Sequence, residues 1–447
     1  MNVSDPYAPS DSAQPESAAE REVVRICQDL IRIDTSNFGD DSGPGERKAA
    51  EYIGDLFDEV GLESTVLESV PGRTSIFTRI PGTDPSAPAL VVHGHTDVVP
   101  ADASEWSVDP FSAEEKDGLI WGRGAVDMKD MDAMILANVR ELARSGVKPR
   151  RDLIIAFFAD EEAGGKMGAQ WAVRNHPELF DGATEAVSEV GGYSVDLRGQ
   201  RTYLVQTAEK GIAWIKLIAR GSAGHGSQIN DDNPVTRLAA AVGRIGAYKW
   251  PREITPAVRE LLEGVAEITG LEFTPETTDD LLNELGSVAR FVGATLQNTS
   301  NPTLLKAGYK HNVIPGAAEA LIDCRTLPGQ DEHVLDTIRE LAGAQIDIEM
   351  LHQDVALETD FSGALVDNMV SSLLAEDPGA KVLPYNLSGG TDNKSLSKLG
   401  ITGYGFAPLK LSNDLDFPAM FHGVDERVPV DALKFGTRVL NRFLLGA

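Results

Sequence analysis

The chain is short of positive charge. Against 69 acidic residues it sets 40 Lys and Arg, a formal net charge of −29 over 447 residues. A nucleic-acid surface needs a basic face, so nucleic acid is not an expected partner, and an anionic membrane is disfavoured for the same reason. Solubility, or adaptation to a salty cytoplasm, accounts for such a balance; carboxylates that hold metal ions are the functional alternative. Cysteine is nearly missing. Cys27 and Cys324 are too few for a disulfide framework, which points to a reducing compartment. Long apolar runs are missing too: the longest clean one, Leu153 to Ala159, is far below the ~18 residues of a membrane helix. The polar, acidic stretch Met1 to Glu20 lacks the apolar centre of a secretory signal. Together these absences give the expectation of a cytoplasmic protein with no membrane partner.

What is present is enough chain for two domains, since one core rarely grows past ~250–300 residues. Residues 1–16, rich in Ser, Pro, Asp and Ala, read as a mobile tail. Ser17 and Glu20 form a capping box ahead of Val23, Val24, Cys27, Leu30 and Ile31 at helical spacing. A second helix fits Glu46 to Val60, ended by Gly61. Strands follow at Ser75–Ile80 and Ala89–Val92, then a helix from Asp127 to Arg144 and a fully buried strand from Leu153. Alternating strands and helices predict an α/β domain with a mostly parallel sheet. The texture changes near Lys210. Strands at Ile212–Ala219, Ala317–Cys324 and Ile346–Leu351, with helices at Asn233–Tyr248 and Asp331–Leu341, suit a small α+β sandwich inserted at 211–354. The larger domain then takes residues 17–210 and 355–447.

Chemistry concentrates at strand ends. His93-Gly94-His95-Thr96-Asp97 follows the strand from Ala89, at the carboxyl edge where α/β sheets gather ligands. An imidazole can bind a metal through one nitrogen while a carboxylate such as Asp97 holds the other N–H; His93 reads as structural. Asp127 follows the glycine-rich Trp121-Gly122-Arg123-Gly124, where a plain helix cap is the competing reading. Asp160-Glu161-Glu162 follows the most buried strand, and adjacent buried acids need cations. Glu189 ends a short strand, and His422 sits in a distant loop, Phe421-His422-Gly423-Val424-Asp425-Glu426. The set His95, Asp127, Glu162, Glu189 and His422 suits two zinc-type ions sharing one carboxylate.

These segments, in this order, resemble the M20 family of metallopeptidases and amidohydrolases, from about Val23 to the C-terminus. The resemblance implies two zinc ions, with cobalt or manganese as alternatives, in a zinc-exopeptidase-like catalytic domain with an inserted lid or dimerisation domain. It implies that His95 and Glu189 serve one metal, Glu162 and His422 the other, and Asp127 both. Asp97 then orients His95, and Glu161 is the catalytic base. His225, in Gly221-Ser222-Ala223-Gly224-His225-Gly226-Ser227, resembles a lid histidine that reaches an active site, commonly the partner subunit's, which makes a homodimer the expectation, with Ile212–Ala219 as an exposed strand able to pair edge to edge. Asn312, Arg325, Gly390 and Thr391 resemble substrate-holding positions, the last two in a loop that offers an anion cradle. Arg325 pairing with Asp323, and Gly389-Gly390 as a mere turn, are the plain alternatives.

Three positions depart from the family pattern: Asp130 where Gly is common, Gly226 for Ser, and Asn393 for a small residue. The implied activity is hydrolysis of an amide bond beside a free carboxylate, in an N-acyl amino acid or short peptide. The alternatives are a dipeptidase or aminopeptidase anchored on a free amine, a metal-dependent esterase, and a binding protein on an inactive scaffold, which the presence of Glu161 disfavours.

Overall fold

The computed structural model describes residues 16–40 and 42–447. All but the last residue of the expected tail, 1–16, lies outside the described residues.

A ten-stranded sheet forms the larger unit. Its centre is parallel: Leu153–Phe158, Ala89–His95, Ala183–Ser188 and Thr402–Gly405 lie side by side in that order. The first two are buried at every position, because helices cover both faces and leave no polar side for alternation. Antiparallel pairs finish the edges, with Arg73–Ile80 and Thr65–Val70 on one side and Gln200–Glu209 with Tyr193–Leu197 on the other.

On one face pack the helices Ala18–Arg32, Lys129–Ser145 and Val430–Gly446, with Val23, Ile26, Ile135, Leu440 and Phe443 fully buried. The capping box is formed, Ser17 accepting from the Glu20 N–H and Glu20 from that of Ser17. On the other face Phe77 meets Phe158 and Phe180 edge to face under the short helices Ala169–Asn175 and Asn393–Ser397.

The smaller unit is a four-stranded antiparallel sheet, ordered Thr299–Ala307, Ala317–Thr326, Gly211–Arg220, Ile346–Asp354. Alternation divides its faces. Ala213, Ile215 and Leu217 turn inward to the helices Pro234–Ala247 and Asp331–Ala342, while Ile212, Trp214 and Arg325 turn to the larger unit's cavity.

Two expectations need correction. Ile212–Ala219, read as an exposed edge able to pair with a second copy, is hydrogen-bonded on both sides; among the described residues the free edges of this sheet are Thr299–Ala307 and Ile346–Asp354. And the interval 211–354 is not all small domain. Its helices Pro256–Thr269, Thr278–Glu284 and Ala289–Gly293 bury Val258, Leu261, Leu262, Leu281 and Val292 in the larger core. No helix among the described residues is long and apolar enough to cross a membrane.

Candidate metal centre

Three adjacent parallel strands end at the same place, so His95, the turn Asp160-Glu161-Glu162 and Glu189 emerge together. Asp127 arrives from the loop before the helix Lys129–Ser145, and His422 from the far end of the chain. The cap reading of Asp127 fails: Met128 occupies the cap position, and no side chain caps the helix.

Asp127 instead faces two imidazoles, Oδ1 lying 3.2 Å from His95 Nε2 and Oδ2 3.3 Å from His422 Nε2. His95 Nε2 is also 3.6 Å from Glu189 Oε2, and His422 Nε2 is 3.1 Å from Glu162 Oε2. Two atoms bound to one tetrahedral zinc at ~2.0–2.2 Å lie roughly 3.3–3.6 Å apart; the pairs at 3.3 and 3.6 Å match that spacing and those at 3.1 and 3.2 Å fall slightly short of it, on the two sides of Asp127. The charge balance argues the same way. Burial pushes Glu189 up, pushes Glu161 well above the carboxylate range, and takes Glu162 to about 7. Four carboxylates this close stay ionised only beside cations.

Asp97 supports the centre in two ways. Its backbone carbonyl accepts from His95 Nδ1 at 3.0 Å, which fixes the proton there and leaves Nε2 for a ligand role. Its carboxylate, 3.5 Å from the same nitrogen, accepts the backbone N–H groups of Glu161 and Glu162, each at 3.1 Å. The expected orienting residue therefore acts more closely through its carbonyl, and its carboxylate holds the next loop. Positive φ values at Asp160, Val190 and His422, at 66°, 55° and 58°, mark a backbone bent to aim these side chains.

Sequence reasoning missed the supports beneath. Asn37 Nδ2 donates to Asp97 and Asp160, and Arg73 bonds both Asn37 and Glu46. Glu426, fully buried, accepts from Arg123 and from the N–H groups of Gly124, Val126 and Asp127. Its place four residues after His422, in the same segment, was the available signal. Among the departures, Asn393 bonds buried His93 at 2.9 Å, and Gly226 sits where a Cβ would press to 3.2 Å on the Asn312 backbone. Asp130 is buried with Oδ1 unpartnered, and burial holds it well above its usual range.

A cavity of about 370 Å³ opens over the centre. Asp127, Glu161, Glu162, Glu189 and His422 line it with Arg325, Gly390 and Thr391. Arg325 is committed in part, Nε and Nη2 donating to Asp323 at 2.8 and 3.1 Å. The Thr391 N–H donates to Glu209 at 2.7 Å, which removes one donor from the expected anion cradle. His225 and Asn312 do not line the cavity of their own chain. His225 is exposed on a two-residue ladder with Val313, its Nδ1 2.8 Å from Ser227 Oγ.

Known proteins resemble this chain in sequence and in fold. Residues 91–446 match the profile of peptidase family M20/M25/M40. The N-fatty-acyl-amino acid synthase/hydrolase PM20D1 of Xenopus tropicalis is 28% identical, over 93% of this chain and 83% of that protein. Human aminoacylase-1 is 26% identical over 95% of each chain. In three dimensions the chain is similar to an M20 family metallo-carboxypeptidase from Sulfolobus solfataricus, with a TM-score of 0.74, 19% identity and coverage of 95% and 98%.

Proposed function

Because the chain belongs to peptidase family M20/M25/M40 and is on that ground a metal-dependent hydrolase, we propose that it cleaves an amide bond next to a free carboxylate, in an N-acyl amino acid or short peptide. The observation that carries this reading is Asp127, with one oxygen toward each histidine and a further carboxylate beside each. His95 and Glu189 would hold one divalent ion and His422 and Glu162 the other, with Asp127 shared; zinc suits these donors, and cobalt or manganese are alternatives. When bound, such ions polarise the scissile carbonyl and bring the pKa of a water toward ~7.

The chain's own residues do the rest. Glu161, whose nearer oxygen lies 4.0 Å from His95 Nε2, takes the proton of the attacking water. Burial raises its proton affinity, so it keeps that proton until the leaving nitrogen accepts it. Asp97 fixes the Glu161 backbone through this exchange. Arg325, Gly390 and Thr391 form the end of the cavity that takes the carboxylate. His225 serves the developing oxyanion from a second subunit, with Asn312 beside it, in a homodimer built on the small sheet. Leu304, Leu305 and Tyr309, all exposed on or just past the free edge strand Thr299–Ala307, suit such a contact. Mixing inactive His225→Ala with inactive Glu161→Gln then restores part of the activity; a fully active monomer would refute the shared site.

A second reading, a dipeptidase or aminopeptidase anchored on a free amine, draws support from Asp323, which already occupies two Arg325 nitrogens. Metal analysis with a screen of N-acyl amino acids, their amides, their ester analogues and free dipeptides separates these readings. Two metals per chain and preference for the N-acyl acid support the proposal; cleavage of free-amine dipeptides alone, or of esters alone, contradicts it.

A further inference from the structure

A ribbon of two antiparallel strands carries the chain between the larger sheet and the smaller one. On the larger side Ala208 and Glu209 pair with Glu358 and Leu357; on the smaller side Ile212 pairs with Asp354. Lys210 and Val355 stand at the step between the two ladders. The ammonium of Lys394, from the larger unit's helix Asn393–Ser397, donates to both of their carbonyls, at 2.6 and 3.2 Å. Its charge partner is Glu209, with Oε2 3.8 Å from Nζ, and the same oxygen accepts the Thr391 N–H at 2.7 Å. Gly390 lies directly on the Lys394 side chain: a Cβ there would collide with Cε and lie 3.2 Å from both Nζ and Ile212 Cδ1. Lys394 and Glu209 are 3% and 0% exposed. Burying two charges costs free energy that an apolar pair of equal volume avoids, so stability alone does not account for them.

We propose that Lys394 and Glu209 are positioning residues: the pair fixes how far Arg325, on the smaller sheet, stands from the Gly390-Thr391 loop of the larger unit, and so where the substrate's carboxylate is held. This rests on the reading above, in which that carboxylate is taken by Arg325, Gly390 and Thr391. Arg325 follows the ribbon directly, because it pairs with Ile212, two residues beyond Lys210. The loop follows it through the Glu209 carboxylate and through Gly390 against Lys394. Arg325, Gly390, Thr391 and Lys394 all line the cavity over the metal centre. A second lysine backs the ribbon: the buried Lys210 donates from Nζ to the carbonyls of Ala294 and Gln297, just before the strand Thr299–Ala307 returns to the small sheet. Without the Lys394 ammonium the two carbonyls lose their donor and the crossing strands can shift. A misplacement of about 1 Å in a substrate-holding group costs up to about 10²-fold.

The test compares an N-acyl amino acid with its C-terminal amide on metal-loaded wild type, Lys394→Met and Glu209→Gln, with metal content and melting measured on each. Lys394→Met keeps the reach of the side chain without its donors; Glu209→Gln keeps the shape and an acceptor for Thr391 without the charge. The expected result is two metals per chain in all three, and kcat/KM for the acid about ten- to a hundredfold lower in Lys394→Met, chiefly through KM. The amide has no carboxylate to hold and loses less, so the acid-to-amide ratio falls at least about fivefold. Glu209→Gln lowers the ratio at least about threefold. The double variant lowers it no further than Lys394→Met alone, because the two side chains act as one unit. Should Lys394→Met fail to fold, the ratio in Glu209→Gln decides the matter. A lower melting temperature with the wild-type acid-to-amide ratio in both variants leaves the pair a structural role and overturns the positioning alone. Equal cleavage of acid and amide by the wild type overturns the carboxylate reading and the positioning with it.

Discussion

The carboxylate of Glu426 accepts the backbone N–H of Asp127 at 3.1 Å. The loop that brings His422 therefore also holds the residue standing between the two proposed ions. Glu426 takes three further donors from Arg123, Gly124 and Val126, and its burial raises it to about 7. Glu426→Ala leaves these donors unpartnered and Arg123 buried without its counter-charge, a loss of about 3–5 kcal/mol. The expected result is a lower melting temperature and reduced metal content with all five ligands intact. Unchanged melting and metal stoichiometry would contradict the support role.

Protons and metal compete for the same atoms. In the metal-free protein, bonds to Asp127 and Glu162 raise His422 to about 10, and burial raises Glu162 to about 7. A ligand histidine must be neutral and a ligand carboxylate ionised, so binding expels the protons these groups carry. Metal affinity consequently rises with pH from below 7 toward 10, by up to about tenfold per unit for each proton released. Calorimetric titration in two buffers of different ionisation enthalpy reads the release directly. A pH-independent affinity with no proton release contradicts the ligand assignment.

On the proposed reading, Arg325 sets substrate orientation. A charge-assisted carboxylate contact is worth about 1.5–3 kcal/mol, so converting the substrate's carboxylate to an amide should cut kcat/KM about ten- to a hundredfold. Arg325→Lys loses most of this discrimination, because a point charge does not reproduce the planar fork. If acid and amide are cleaved equally by the wild type, Arg325 serves Asp323 alone and the free-amine reading takes over.

Local signals carried part of the candidate site. The unbroken apolar strand Leu153–Phe158 and the acids after it were visible because both are contiguous in sequence. His422 drew its meaning from motif order, since no periodicity links it to Asp127. What escaped were contacts made by side chains with ordinary neighbours. Nothing local marks Asn37 or Arg73 as supports, and Glu426 has only its nearness to His422 until its four donors are brought around it. The helices between Pro256 and Gly293 were hidden for another reason: an apolar helix face does not announce which of two cores it will join. Strand order was equally out of reach, so Ile212–Ala219 read as an edge although Ile346–Asp354 covers it.

The division of labour within Glu161-Glu162 is the central claim, and Glu161→Gln tests it most directly. The substituted amide keeps the shape of the side chain but does not accept the proton, while His95, Asp127, Glu162, Glu189 and His422 remain as ligands. The expected outcome is two metals per chain, wild-type melting, and turnover reduced by about 10²–10⁴-fold. Near-wild-type turnover in a fully metal-loaded Glu161→Gln protein would contradict it.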